Sequence, residues 1–117
     1  MSVTPADVRR IALGFPGASA TTSHGNPSFH VGKRFFTWIR PEEHSLVTHV
    51  DSLDERDALI AGDPATFHIT DHYRGLAMVL VRLERADKAL VRHFLERRFR
   101  AIAPKKILKE YDAGKKA

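Results

Sequence analysis

Six cations crowd residues 97–109: Arg97, Arg98 and Arg100 lie within four residues, and Lys105, Lys106 and Lys109 follow an Ala103-Pro104 break. Guanidinium and ammonium groups at this density neutralise phosphates and release the counterions condensed on a nucleic-acid backbone. The segment is the best phosphate-binding footprint in the sequence, although a charge run also suits a plain solvated helix face. Phe99, set among these cations, reads as a packing residue rather than a base-stacking one. A second cationic pair, Lys33-Arg34, follows Gly32 in what reads as a tight turn between strands, where it could project as a wing-like contact. With no recognisable base-reading motif, a bound duplex would be held through its backbone or shape, with modest sequence preference.

A different chemistry is suggested by His24, in a turn-rich Ser-His-Gly-Asn-Pro stretch, together with Tyr73 and Arg74. Arginine offers a planar donor fork for phosphate or carboxylate, and tyrosine can stack or hydrogen-bond, so the three could line one pocket for a small anion or an acidic peptide. Against this, Gly25 and Pro27 also make a natural entry into a strand, Tyr73 can pack its ring, and Arg74 can tie a loop to an acid. Ser23-His24 invites a hydrolase reading, but adjacency does not make a nucleophile and its base, and there is no GxSxG elbow. His44 with His49, and His68 with His72, lack the same-face helical spacing of HExxH, so no metal site is assigned. No carboxylate, nucleophile or cofactor constellation completes a reaction, and the expectation is a non-enzymatic protein without a cofactor.

The elements that must carry these residues alternate between two periods. Thr4-Pro5-Ala6-Asp7 reads as a helix start, with Val8, Ile11, Ala12 and Phe15 at helical spacing and Gly14 and Pro16-Gly17 as the stop. A polar loop is expected through His24 and Gly25. Residues 27–50 then turn to a period of two, giving three strands around Phe29-Val31, Phe36-Trp38-Arg40 and Ser45–Val50. Ser52 and Glu55 resemble a capping box for a short helix ended by Gly62-Asp63-Pro64. Phe67 and Ile69 mark a fourth strand, Asp71–Gly75 a connection, and Leu76–Leu83 a strand buried on both faces. Asp87 caps a long amphipathic helix bearing Leu90, Val91, Phe94, Leu95 and Ile102. Pro104 breaks it, since the residue before a proline is driven out of the helical region. Lys105–Tyr111 resumes a turn, and residues 113–117 fray. The predicted fold is a single α+β domain over residues 1–117, with a mainly antiparallel five-stranded sheet in the order α-β-β-β-α-β-β-α.

Composition narrows the classes further. A chain of 117 residues fits one core. Without cysteine it has no disulfide, thiolate metal site or cysteine nucleophile. No apolar run approaches the roughly 20 residues that span a bilayer, and the N-terminus lacks a signal pattern, so a soluble cytoplasmic protein is expected. The formal charge of +5 is unevenly spread: residues 1–81 carry a net −2 and residues 82–117 a net +7. A basic end on a nearly neutral body suits a phosphate backbone, an acidic protein or an anionic surface.

Several local patterns, taken in order, resemble the MmcQ/YjbR family of small bacterial proteins. They are Phe15-Pro16-Gly17, Ser23-His24-Gly25-Asn26-Pro27-Ser28-Phe29, Gly32-Lys33 before an aromatic strand, Asp63-Pro64, His72-Tyr73-Arg74-Gly75 before the long strand, and Ala103-Pro104-Lys105-Lys106. The resemblance covers about Ala6 to Leu108. It implies an α+β fold with an antiparallel sheet and a DNA-binding role. The chain departs from the family at Met78, where a tryptophan is frequent, while Phe99 fills an aromatic position near the end of the last helix; both occupy apolar space without an indole donor. The leading expectation is therefore DNA binding through Lys105, Lys106, Lys109 and the neighbouring arginines, with Lys33 and Arg34 as a second contact. The His24–Tyr73–Arg74 module is the alternative.

Overall fold

Thr4 and Asp7 fix the start of the first helix reciprocally. The Asp7 N–H donates to Thr4 Oγ1 and the Thr4 N–H to Asp7 Oδ2, each at 3.1 Å, which satisfies two donors that a helix start leaves open. The computed structural model describes residues 3–23, 26–40 and 44–116. In chain order its elements are α1 (Pro5–Leu13), β1 (Ala18–Ser23), β2 (Asn26–Val31), β3 (Arg34–Arg40), β4 (Ser45–His49), α2 (Leu53–Gly62), β5 (Phe67–His68), β6 (Met78–Arg82), α3 (Lys88–Ile102) and α4 (Lys105–Lys116). Short 3-10 turns cover Asp71–Tyr73 and Leu83–Arg85.

The strands form one antiparallel sheet in the order β1-β2-β3-β4-β6-β5. The α+β class and the antiparallel sheet are as the pattern predicts, but the sheet has six strands rather than five. The added strand is β1, in the segment expected to be a polar loop. Its sequence, ASATTS, shows no apolar alternation because β1 is an edge strand paired only with β2, from Ala18 opposite Val31 to Ser23 opposite Asn26. The apolar stretch at residues 76–83 yields a shorter strand than expected, β6, but it lies between β4 and β5 with Val79, Leu80 and Val81 fully buried. Pairing on both sides and covering on both faces explain why its sequence runs apolar without alternation.

One face of the sheet carries the main core. Val8, Ile11 and Ala12 of α1 and Val91, Phe94, Leu95, Phe99 and Ile102 of α3 close over Phe29, Phe36, Ile39, Leu46, Val79 and Val81. Phe15 joins three elements: its ring meets Phe36 of β3 edge-on at 5.7 Å and lies 5.0 Å from Phe99 of α3 and 5.7 Å from Tyr111 of α4. Phe99 is thus wholly buried, as a packing residue should be. The opposite face carries a smaller cluster of Val47, Leu80 and Tyr73 with Trp38, Ile69 and Met78 against it. Met78 fills part of that cluster with a flexible apolar side chain that needs no hydrogen-bond partner.

The helix stops differ in detail from the simplest reading. Gly14 stays right-handed at φ −74°, and the left-handed residue is Gly17, at φ 78°. Ala103 takes φ −66° and ψ 138° before Pro104, the extended geometry a following proline imposes. Beyond it the chain forms a full twelve-residue helix, α4, rather than a turn, and α4 runs on through the segment expected to fray as far as Lys116. Ile107, Leu108 and Tyr111 anchor it to the core. Among the described residues no helix is long and apolar enough to cross a membrane.

Candidate nucleic-acid interface

Two glycines and a proline bring the distant cationic segments together. Gly32, at φ 59°, makes the β2–β3 turn, and its N–H donates to the Gly17 carbonyl at 3.0 Å, tying that turn to the exit of α1. A side chain at Gly32 would begin 4.0 Å from Pro104 Cγ, and one at Gly17 only 2.8 Å from Ile107 Cδ1. The turn that projects Lys33 and Arg34 therefore abuts the α3–α4 break that leads into Lys105 and Lys106. All four side chains are exposed, as is Lys109, which follows Lys105 and Lys106 at the spacing that puts helical residues on one face. Among the described residues these five cations make no ion pair. Lys105 and Lys106 also occupy the first turn of α4, where the helix dipole favours acids and no acid stands. Their charge does not stabilise their own helix.

The three arginines near the end of α3, Arg97, Arg98 and Arg100, are engaged internally. Arg97 Nη1 and Nη2 donate to the two Glu55 carboxylate oxygens at 2.5 and 2.6 Å, and Nη2 lies 2.7 Å from Asp51 Oδ2. This fork holds the Glu55 carboxyl down at about 2 and pushes Arg97 further above its ordinary value. Arg100 is bound by Asp112 of α4, Nη2 to Oδ1 at 2.8 Å, with Glu96 beside it. Arg98 Nη2 donates to the Phe35 carbonyl at 2.8 Å. Burial and then the nearby Arg34 lower the Arg98 pKa, which places Arg34 within electrostatic reach of α3. The eight cations expected to meet phosphate thus divide into five on an open surface and three committed to the fold.

The alternative trio does not share a pocket where the structure describes it. Tyr73 is 2% exposed and lies against Val47 and Leu80, with Arg40 Nη1 donating to its hydroxyl at 3.4 Å. Arg74, next in sequence, points to solvent at 76% exposure and pairs with Asp71. His24 lies outside the described residues. The sequence reading passed over the residue that shapes this loop, Arg56. Buried at 7% exposure, its Nη1 donates to the carbonyls of Tyr73, Arg74 and Leu76 at 3.3, 2.6 and 3.1 Å. The signal was present: Arg56 stands three residues after Leu53 and three and four before Leu59 and Ile60, a cation on the apolar face of a short helix.

The family model for YjbR matches residues 13–101. The chain belongs to the YjbR family. The matched segment takes in the whole sheet and all but the last residue of α3. Of the YjbR chain's exposed cations it includes Lys33 and Arg34; Lys105, Lys106 and Lys109 lie beyond it on α4. No curated protein and no solved structure matches the chain.

Proposed function

We propose that this YjbR chain is a non-enzymatic DNA-binding protein that grips the duplex backbone with Lys33 and Arg34 of the β2–β3 turn and Lys105, Lys106 and Lys109 of α4. The observation that supports the reading is the approach of the Gly32 turn to Pro104, which brings near each other two cationic segments about seventy residues apart in sequence. Two further features agree with it. None of the five cations is neutralised by an acid among the described residues, and the lysines at the start of α4 oppose the helix dipole, so their contribution lies outside the fold. Lysines and exposed arginines on a turn and a helix face recognise phosphate and shape rather than base edges.

If all five cations meet phosphates, log K should fall with log salt at a slope of about −4 to −5, since each neutralised phosphate contributes roughly 0.9. Fluorescence anisotropy with several unrelated duplexes tests this. Lys105→Glu with Lys106→Glu should weaken all of them similarly, while the chain keeps its circular dichroism and melts no lower than the parent. Absence of binding by the parent chain to any duplex at low salt would overturn the proposal.

A further inference from the structure

The two edges of the sheet are finished differently. β5 is two residues long and lies just after Pro64, and Arg82 Nη1 covers the carbonyls of Pro64 and Ala65 at 2.9 and 3.2 Å. β1, at the other edge, runs for six residues and pairs only with β2, and Ser19, Ala20, Thr21 and Thr22 are all exposed. Edge strands are ordinarily guarded by a charge, a proline or a bulge, because their open N–H and C=O groups template a further strand. β1 has none of the three. Its register with β2 is unbroken, and no Lys, Arg, Asp or Glu occurs from Ile11 to Gly32 in a chain of which 28% is charged.

The ladder fixes which groups are open. Gly32 N–H donates to the Gly17 carbonyl, so counting along the register places Ser19, Thr21 and Ser23 in hydrogen-bonded pairs with β2 and turns the N–H and C=O of Ala20 and Thr22 outward. Pro27, which has no N–H to give, stands opposite Thr22 as this alternation requires. The Ala18 N–H is already taken by the Phe15 carbonyl at 3.2 Å, so the open stretch is centred on Thr21. Two identical strands paired antiparallel about that residue are related by a two-fold axis. Each Ala20 then faces Thr22 of the other copy through a pair of backbone hydrogen bonds, and Thr21 faces Thr21, a favourable cross-strand pair. The uncharged edge is also where a chain of net charge +5 meets itself without bringing like charges together.

We propose that β1 pairs with β1 of a second copy of this chain, antiparallel and centred on Thr21, so that the two sheets become one continuous sheet. The interface is independent of the DNA-binding reading, because all five exposed cations lie outside β1.

Cysteine scanning of the full chain tests the register, since the parent has no cysteine. Opposed residues that share no hydrogen bond stand about 4.5 Å apart at Cα, within the span of a disulfide. Under mild oxidation Thr21→Cys should therefore form a disulfide dimer at least about tenfold faster than Thr22→Cys, whose partner in this register is Ala20. Sedimentation equilibrium of the parent should show a reversible dimer with a Kd of about 0.1–1 mM, because a strand pair this short buries less than the roughly 1,000 Å² of a stable interface. Thr22→Pro removes an outward N–H while leaving the β1–β2 ladder intact, and should abolish the dimer. Since a proline could also disturb the strand, Thr21→Lys provides a second variant at an exposed position; it sets like charges opposite each other and should weaken association by about tenfold. A parent that stays monomeric at about 1 mM, equal cross-linking of the two cysteine variants, or undiminished association of Thr21→Lys would each overturn the proposal.

Discussion

Arg97 holds Glu55 by both carboxylate oxygens, at 2.5 and 2.6 Å, and so pins the C-terminal half of α3 to the first turn of α2. The contact removes one arginine from the surface that sequence alone would assign to phosphate. It also makes the fold acid-sensitive. Glu55 is depressed from 4.5 to about 2 in the folded chain, so the folded state binds fewer protons than the unfolded one across that window. The stabilisation is complete above pH 4.5 and is lost as the pH falls towards 2. Urea unfolding should show Glu55→Gln about 1 kcal/mol less stable than the parent at pH 7, with the difference vanishing near pH 2.

His49 acts in a neighbouring window with the same sign. Burial and Arg98 lower it from 6.5 to about 4, so the unfolded chain takes up this proton first and stability declines as the pH drops from 6.5 to 4. His49→Gln should flatten the stability profile between those values without altering the part below 4. An NMR titration of the imidazole that placed it near 6.5 would contradict this.

Arg56 is expected to be the more sensitive of the two arginines that meet the 71–76 loop. Arg56→Ala leaves three carbonyls without their shared donor and should cost about 2–3 kcal/mol in urea unfolding, with increased amide exchange confined to residues 73–76. Arg74→Ala removes an exposed pair and should change stability by less than about 0.5 kcal/mol. The reverse order would mean that the loop is held by Arg74.

These residues show how far the sequence reveals the site. Period and caps disclose the starts of α1, α2 and α3, because Thr4, Ser52 and Asp87 are short polar residues whose side chains accept from the backbone of the first turn. They do not disclose β1, since an edge strand that buries almost nothing has no apolar pattern to show. α4 is read short because it contributes only Ile107, Leu108 and Tyr111 to the core, too few to establish a period. Lys33, Arg34, Lys105 and Lys106 are legible as cations, but their adjacency is not, since it depends on the approach of a turn to a helix break. Which arginines are committed to acids is also invisible, because Glu55 and Arg97 are 42 positions apart.

Gly17→Ala tests that adjacency without touching a charge. An alanine at φ 78° is strained, and its Cβ would press on Ile107 Cδ1 at 2.8 Å, so about 1–2 kcal/mol of stability should be lost. The clash falls on the free end of the Ile107 side chain that seats α4, so DNA affinity should fall, with all five cations kept, to the extent that α4 moves with that side chain. Gly75→Ala meets nothing within 4 Å and should leave both properties within error.

The central claim is that the β2–β3 turn and α4 form one phosphate-binding surface, and the most direct test is the salt slope of duplex binding for Lys33→Gln, Lys105→Gln and the double variant. If both lysines touch the same duplex, each single variant should reduce the magnitude of the slope by about 0.9 and the double by about 1.8. A double variant with the parent's slope and affinity, folded by circular dichroism, would contradict the account.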